Sequence, residues 1–191
     1  MKGFAVQIVL LFLLVSFSTR AQEKYEREYR IDLKEVPKKA LDFIQQIPNV
    51  QKVKWYYEES QDGETVEAKF KHKGHKVSVE FTDKGEILDV EIKTRLGEFP
   101  KQERQLIRKV LESQFVKYRI RKIQKQFSKL SRAQFQKLFS NPAGFGTYNY
   151  EIVVKGKKKK QFELFQLQID QEGAVLSQLK FAPPNSLNLE F

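Results

Sequence analysis

The chain has no cysteine, two histidines, one tryptophan and one methionine. Without cysteine there is no disulfide, no thiolate metal site and no residue for a lipid anchor of the lipoprotein type. The fold must hold by its apolar core. The two histidines, His72 and His75, share one Lys-rich stretch, Lys71 to Lys76. A turn offers a poor mount for a nucleophile–base pair, no third orienting group lies in sequence reach, and the neighbouring lysines repel a metal ion. No Gly-rich phosphate loop is present, because Gly144-Phe145-Gly146 does not sit at a strand-to-helix turn. No catalytic residue, cofactor or metal is therefore expected. An enzymatic reading would need a concave cavity with converging ionisable groups.

Long apolar runs are missing as well, with one exception. Phe4 to Phe17 is broken only by Gln7 and Ser16, follows Lys2, and precedes Ser18-Thr19-Arg20-Ala21-Gln22. This layout predicts a secretory signal peptide over residues 1–21, and the run is short for a membrane span. The expected mature chain is periplasmic or secreted and not integral to a membrane.

Aromatic residues are abundant, with sixteen Phe and seven Tyr among 191 residues, so core material is ample. The net charge is +11 and unevenly spread. Residues 22–100 carry 15 basic and 17 acidic side chains, whereas residues 101–191 carry 18 and 7. Such asymmetry points either to an anionic partner of the second half or to a solvated face.

The hydrophobic pattern changes period twice. A helical stripe of Ala40, Phe43, Ile44 and Ile47 follows Val36-Pro37, and another of Leu106, Ile107, Val110 and Leu111 follows Phe99-Pro100. After the first, four runs alternate with period two: Val53/Trp55/Tyr57, Val66/Ala68/Phe70, Val77/Val79/Phe81 and Leu88/Val90/Ile92, punctuated by Asp62-Gly63, Gly74 and Asp83-Lys84-Gly85. The second half repeats the order with Ile120/Ile123/Phe127, Tyr150/Ile152/Val154, Phe165/Leu167/Ile169 and Val175/Leu176/Leu179, and aligns Gly156 with Gly74. Residues 128–146 form an insertion in which Ser131 and Gln134 resemble a capping box and Phe135, Leu138 and Phe139 an apolar stripe. That insertion is either a functional loop or a cap on the core. The expected fold is α+β: two tandem helix-plus-four-stranded antiparallel meander repeats, with a helix packed on one face of each sheet. The boundaries are a lead segment 22–34, repeats 35–97 and 98–182, and an irregular tail 183–191.

The stretch "EVPKKALDFIQQIPNVQKVKWYYEESQDGETVEAKFKHKGHKVSVEFTDKGEILDVEI" resembles the PepSY-like, beta-lactamase-inhibitor-like domain of exported bacterial proteins. The Val-Pro-Lys helix start, Pro48-Asn49, the Val53-x-Trp55 strand and the turn at Gly85 carry the likeness. Phe99 to about Phe181 matches less well, having no tryptophan on its first strand, a longer turn after Gly156, and the insertion. The resemblance implies a tandem α+β repeat, a periplasmic or secreted setting typical of the Bacteroidota, and a binding or inhibitory role rather than catalysis. It carries over no catalytic residue.

Carboxylates such as Glu67, Glu80, Asp89 and Glu91 alternate with the apolar positions, so they fall on the sheet face away from the core, among Lys54, Lys69 and Lys76. That face is the leading candidate for a binding surface, with Lys54, Tyr56 and Lys69 in the first half and Phe162 and Leu164 in the second. Lys101, Arg104, Arg108 and Arg121 form a basic candidate surface in residues 101–137, which hold twelve basic and two acidic side chains. The reading is an exported, non-enzymatic binding or inhibitor-like protein, with an envelope or secreted protein as partner. The alternative is a cationic envelope-associated protein that binds anionic lipid or glycan. Nucleic acid is disfavoured as a partner by the export signal, not by electrostatics. The run Lys157 to Lys160 reads as a solvated hairpin tip.

Overall fold

The computed structural model describes residues 23–141 and 145–182; the expected signal peptide, the tail from residue 183 and residues 142–144 of the insertion lie outside these. The described residues begin with two short strands, β1 (Glu23–Lys24) and β2 (Glu26–Arg30), followed by helix α1 (Lys38–Gln45). Strands β3 (Lys54–Ser60), β4 (Gly63–His72), β5 (His75–Phe81) and β6 (Ile87–Lys93) come next. Helix α2 (Lys101–Gln114) leads into β7 (Lys117–Ser128), helix α3 (Arg132–Ser140), β8 (Asn149–Lys157), β9 (Phe162–Ile169) and β10 (Val175–Phe181). Pro37 and Pro100 sit at the N-caps of α1 and α2, one place earlier than the pattern suggested.

The chain is an α+β fold, and among the described residues ten strands join one sheet, in the order β1-β10-β9-β8-β7-β6-β5-β4-β3-β2. The expectation of a sheet for each half is corrected here, because β6 pairs with β7 through Asp89–Lys93 and Gln124–Ser128. Every pairing is antiparallel except the short parallel contact of β1 with β10. Residues 23–30, expected only as a lead segment, are strands. A single residue, Tyr25, separates β1 from β2, yet β1 pairs with β10 and β2 with β3, the outer strands of the meander. The sheet must curl until one extended stretch bridges both of its edges.

The outer face of this curl is apolar and carries the helices. Phe43 of α1 packs against Phe81 and Phe135, with ring centroids 6.2 and 5.5 Å apart. Phe135 and Phe139 of α3 lie 4.8 Å apart, and Phe139 continues to Phe70. Phe135 and Leu138 are fully buried, so the insertion caps the core. Each buried ring contributes about 1.5–3 kcal/mol of apolar transfer. Ser131 and Gln134 form the expected capping box at the start of α3. α2 buries Ile107, Val110 and Leu111.

Two local departures have simple causes. Ile120 and Ile123 are three residues apart because β7 bulges at Arg121, so both can face the core. Gly156 is not the counterpart of the Gly74 turn. It lies within β8, where the Phe115 ring comes so close that a Cβ would stand 2.4 Å from it. The turn proper spans residues 158–161, where Lys158, Lys159 and Lys160 are exposed.

Candidate functional site

The inner face of the curl is polar, and strand alternation sets which residues it receives. Glu67 and Lys69 of β4, Ser78 and Glu80 of β5, and Asp89 and Glu91 of β6 face inward, opposite Ala68, Val79 and Val90 in the core. Lys122 and Gln124 of β7, Glu151 and Val153 of β8 and Gln166 of β9 complete the ring from the other side. Lys24, Glu26 and Glu28 enter from the bridging stretch, and Glu58 from β3. They enclose a lumen of about 400 Å³, lined by nine carboxylates and five ammonium groups. Leu179 and Phe181 give it one apolar wall.

Burying so many charges demands pairing. Lys69 sits 2.7 Å from Glu28 and 2.9 Å from Glu67. Lys24 reaches Glu26 at 2.9 Å and donates to Gln166 Oε1 at 2.5 Å. Lys122 lies 3.5 Å from Glu151. The bridging stretch is thus tied into the lumen by its own side chains, as well as by backbone pairing.

Two carboxyl pairs share protons. Burial, with Glu26 and Glu67 nearby, pushes Glu58 up to about 10, so at neutral pH it is a carboxylic acid that donates to Glu26. Burial alone would raise Glu26, but Lys24 and the bond from Glu58 outweigh it and hold Glu26 down at about 2. Across the lumen, Glu91 is pushed well above the carboxylate range by burial and by Glu151, to which it donates. Burial would raise Glu151 too, but Lys122 and Lys24 outweigh it and hold that carboxylate low. Gln124 donates to both Glu91 and Glu151. Burial pushes Glu80 to about 7 against the Thr65 hydroxyl, which donates to it at 2.8 Å. Asp89, also raised by burial and by Glu80, accepts from Gln126 at 2.7 Å. Glu26, Glu28 and Glu58 each bring a carboxylate oxygen to within 4.8 Å of the others, the one such cluster among the described residues.

The concave cavity that an enzymatic reading requires is therefore present. Its acids and bases, however, satisfy one another through hydrogen bonds and ion pairs. Neither histidine takes part: His72 packs edge-on against Phe139 at 5.4 Å, and His75 Nδ1 lies 3.2 Å from the Lys93 carbonyl.

The candidate residues do not form one surface. Lys69 lines the lumen, with its ammonium 5.0 Å from the Tyr56 ring, and Lys54 pairs in register with Lys69 on β3. Lys101, Arg104 and Arg108 ride on α2, on the opposite side of the sheet, so the basic helix stripe cannot share a partner contact with the lumen. Arg104 donates to the Phe99 carbonyl at 2.7 Å, a structural role. Arg121 stands exposed at the β7 bulge, Phe162 is exposed on β9 and Leu164 is half-buried there. Sequence reasoning missed Lys24, Glu26, Glu28 and Glu58 as site residues. The alternation of Glu26 and Glu28 with Arg27 and Tyr29 signalled the first of these, and the Val53/Trp55/Tyr57 alternation, continued to Glu58, signalled the last.

No helix among the described residues is long and apolar enough to cross a membrane. No family model and no curated protein matches the chain. Solved structures do match its fold. A DUF2874 family protein from Bacteroides ovatus superposes with a TM-score of 0.53 at 14% identity, over 76% of this chain and 88% of that one. A Bacteroides eggerthii structure described under "putative periplasmic proteins" gives 0.52 at 19%, over 76% and 88%. A BLIP-like protein from Bacteroides fragilis gives 0.50 at 16%, over 76% and 86%, so the chain shares the fold of a BLIP-like protein.

Proposed function

We propose that this is an exported, non-enzymatic binding or inhibitor-like protein that engages its target through the polar inner face of the curled sheet and the rim of the lumen. The observation that carries this reading is the convergence of charged side chains from both halves of the chain on one cavity of about 400 Å³, a size suited to a small guest or an inserted side chain. A fold shared with a BLIP-like protein supports a protein target. The signal-peptide pattern of residues 1–21 and the Bacteroides eggerthii neighbour support a periplasmic setting. Tandem PepSY-like repeats are part of this reading, supported by the matching turns at Gly85 and Gly173, each of which abuts its own helix.

The test uses rim residues that are exposed and so tolerate change. Asp62→Lys and Leu88→Glu should abolish a complex captured from an envelope extract, whereas Lys101→Glu with Arg108→Glu should leave it intact. A complex indifferent to the rim variants, or turnover of a substrate by the purified protein, overturns the proposal.

A further inference from the structure

The face that forms the lumen does not end at its mouth. Along β7–β9, the rung Lys122–Val153–Gln166 lines the cavity. The next rung outward is Arg119–Lys155–Leu164, and the one after it is Lys117–Lys157–Phe162. Lys117 is directly opposite Lys157, and Arg119 directly opposite Lys155. Like charges facing each other across a strand pair are destabilising. Among the described residues, none of these four cations, nor Arg121 beside them, forms an ion pair. The sheet thus holds five uncompensated cations on strands spaced about 4.8 Å apart.

Apolar side chains stand among them. Phe162 is 48% exposed, and Val116, whose N–H bonds the Lys157 carbonyl at 2.9 Å, is 73% exposed, the highest value for a large hydrophobic residue among the described residues. Lys159 and Lys160 extend the array at the hairpin tip, while Lys158 folds back to Gln178 and the Phe165 ring. Exposed apolar groups at the same end of the sheet as these cations fit an anionic lipid surface, where the cations meet headgroups and the apolar groups enter the interface. Ammonium groups act as hydrated point charges and suit many headgroups without a fixed partner geometry.

We infer that the β8–β9 end of the sheet is a docking surface for an anionic lipid bilayer, with Lys117, Arg119, Lys155 and Lys157 as the electrostatic contact and Val116 and Phe162 as the inserted groups. None of these six residues lines the lumen, and the surface does not depend on what the lumen binds.

Sedimentation with vesicles of phosphatidylcholine plus phosphatidylglycerol, against phosphatidylcholine alone, tests it. Binding should require the anionic lipid and weaken as salt is added. The combined variant Lys117→Gln, Arg119→Gln, Lys155→Gln should lose roughly 100-fold in partitioning, about five-fold per charge. The same variant should melt at a higher temperature, because like-charge repulsion is relieved; this readout separates lost contact from lost folding. Val116→Ser with Phe162→Ser should weaken binding while keeping its salt dependence. Equal binding to phosphatidylcholine alone, or full binding by the neutralised variant, overturns the inference. So does displacement by poly-glutamate with the Val116 and Phe162 changes silent, which would assign the surface to an acidic polypeptide.

Discussion

At Gly156 the absence of a side chain is a packing requirement. The Phe115 ring occupies the space a Cβ would take, and Phe115 also stacks at 5.2 Å on Phe165. Gly156→Ala should destabilise the protein by about 1–3 kcal/mol, the usual cost of overpacking, read as a lowered denaturant midpoint with an unchanged slope. Glu80 supplies a second residue-scale test. Its folded pKa of about 7 lies above its ordinary 4.5, so the folded state holds a proton that the unfolded state has released between those values. Its contribution to stability falls as pH rises through that window, by at most about 1.4 kcal/mol per pH unit. Glu80→Gln, which still accepts from Thr65, should remove that slope and raise the melting temperature at pH 8 relative to the parent.

Two elements invite tests of their own. α3 belongs to the core, since Phe135 is fully buried between Phe43 and Phe139. Phe135→Ala should cost about 3–5 kcal/mol in chemical denaturation, while Gln136→Ala, at the exposed neighbouring position on the same helix, should be near neutral. In the bridging stretch, β2 is paired with β3 from Glu26 to Arg30, whereas β1 is held at β10 by only two residues of pairing and by the Lys24 side chain. Lys24→Ala should therefore leave the helical core intact and speed amide exchange at Phe181 and Ala182, whose N–H donates to the Lys24 carbonyl at 3.2 Å. Unchanged exchange there would show that backbone pairing alone closes the sheet.

At the scale of the whole molecule, acid and base are sorted by location. Nine of the 24 carboxylates line the lumen, so the exterior is more basic than the net charge of +11 conveys. The raised groups Glu58 and Glu80 favour the folded state as pH falls toward about 4.5, whereas the depressed Glu26 withdraws its contribution only as pH falls from there to about 2. Thermal melts across pH should show maximal stability near pH 4.5–5, with a decline toward neutrality. A plateau from pH 6 to 8 would contradict the pairing described for the lumen.

Much of this was legible in the sequence. Alternation in Val66/Ala68/Phe70 and Val77/Val79/Phe81 assigned the faces of β4 and β5, and with them Glu67, Lys69 and Glu80 to the polar side. The curl was not legible, because Glu26 to Arg30 carries no apolar alternation to mark a strand, and its pairing with β3 is set by partners far along the chain. Without the curl, the polar face reads as open surface and its charges as solvated. The proton-sharing pairs were hidden for the same reason, since Glu26 meets Glu58, and Glu91 meets Glu151, only once the register is known.

The bridging stretch also imposes an order in time. Residues 23 and 24 are made early, but their partners, Lys180 and Phe181, arrive at the far end of the described chain. β2 can pair with β3 once the α1 connection between them is made, whereas β1 must wait for β10, across a loop whose closure entropy is large. The lumen is therefore sealed last, and a chain halted before residue 180 keeps its charged interior open to water.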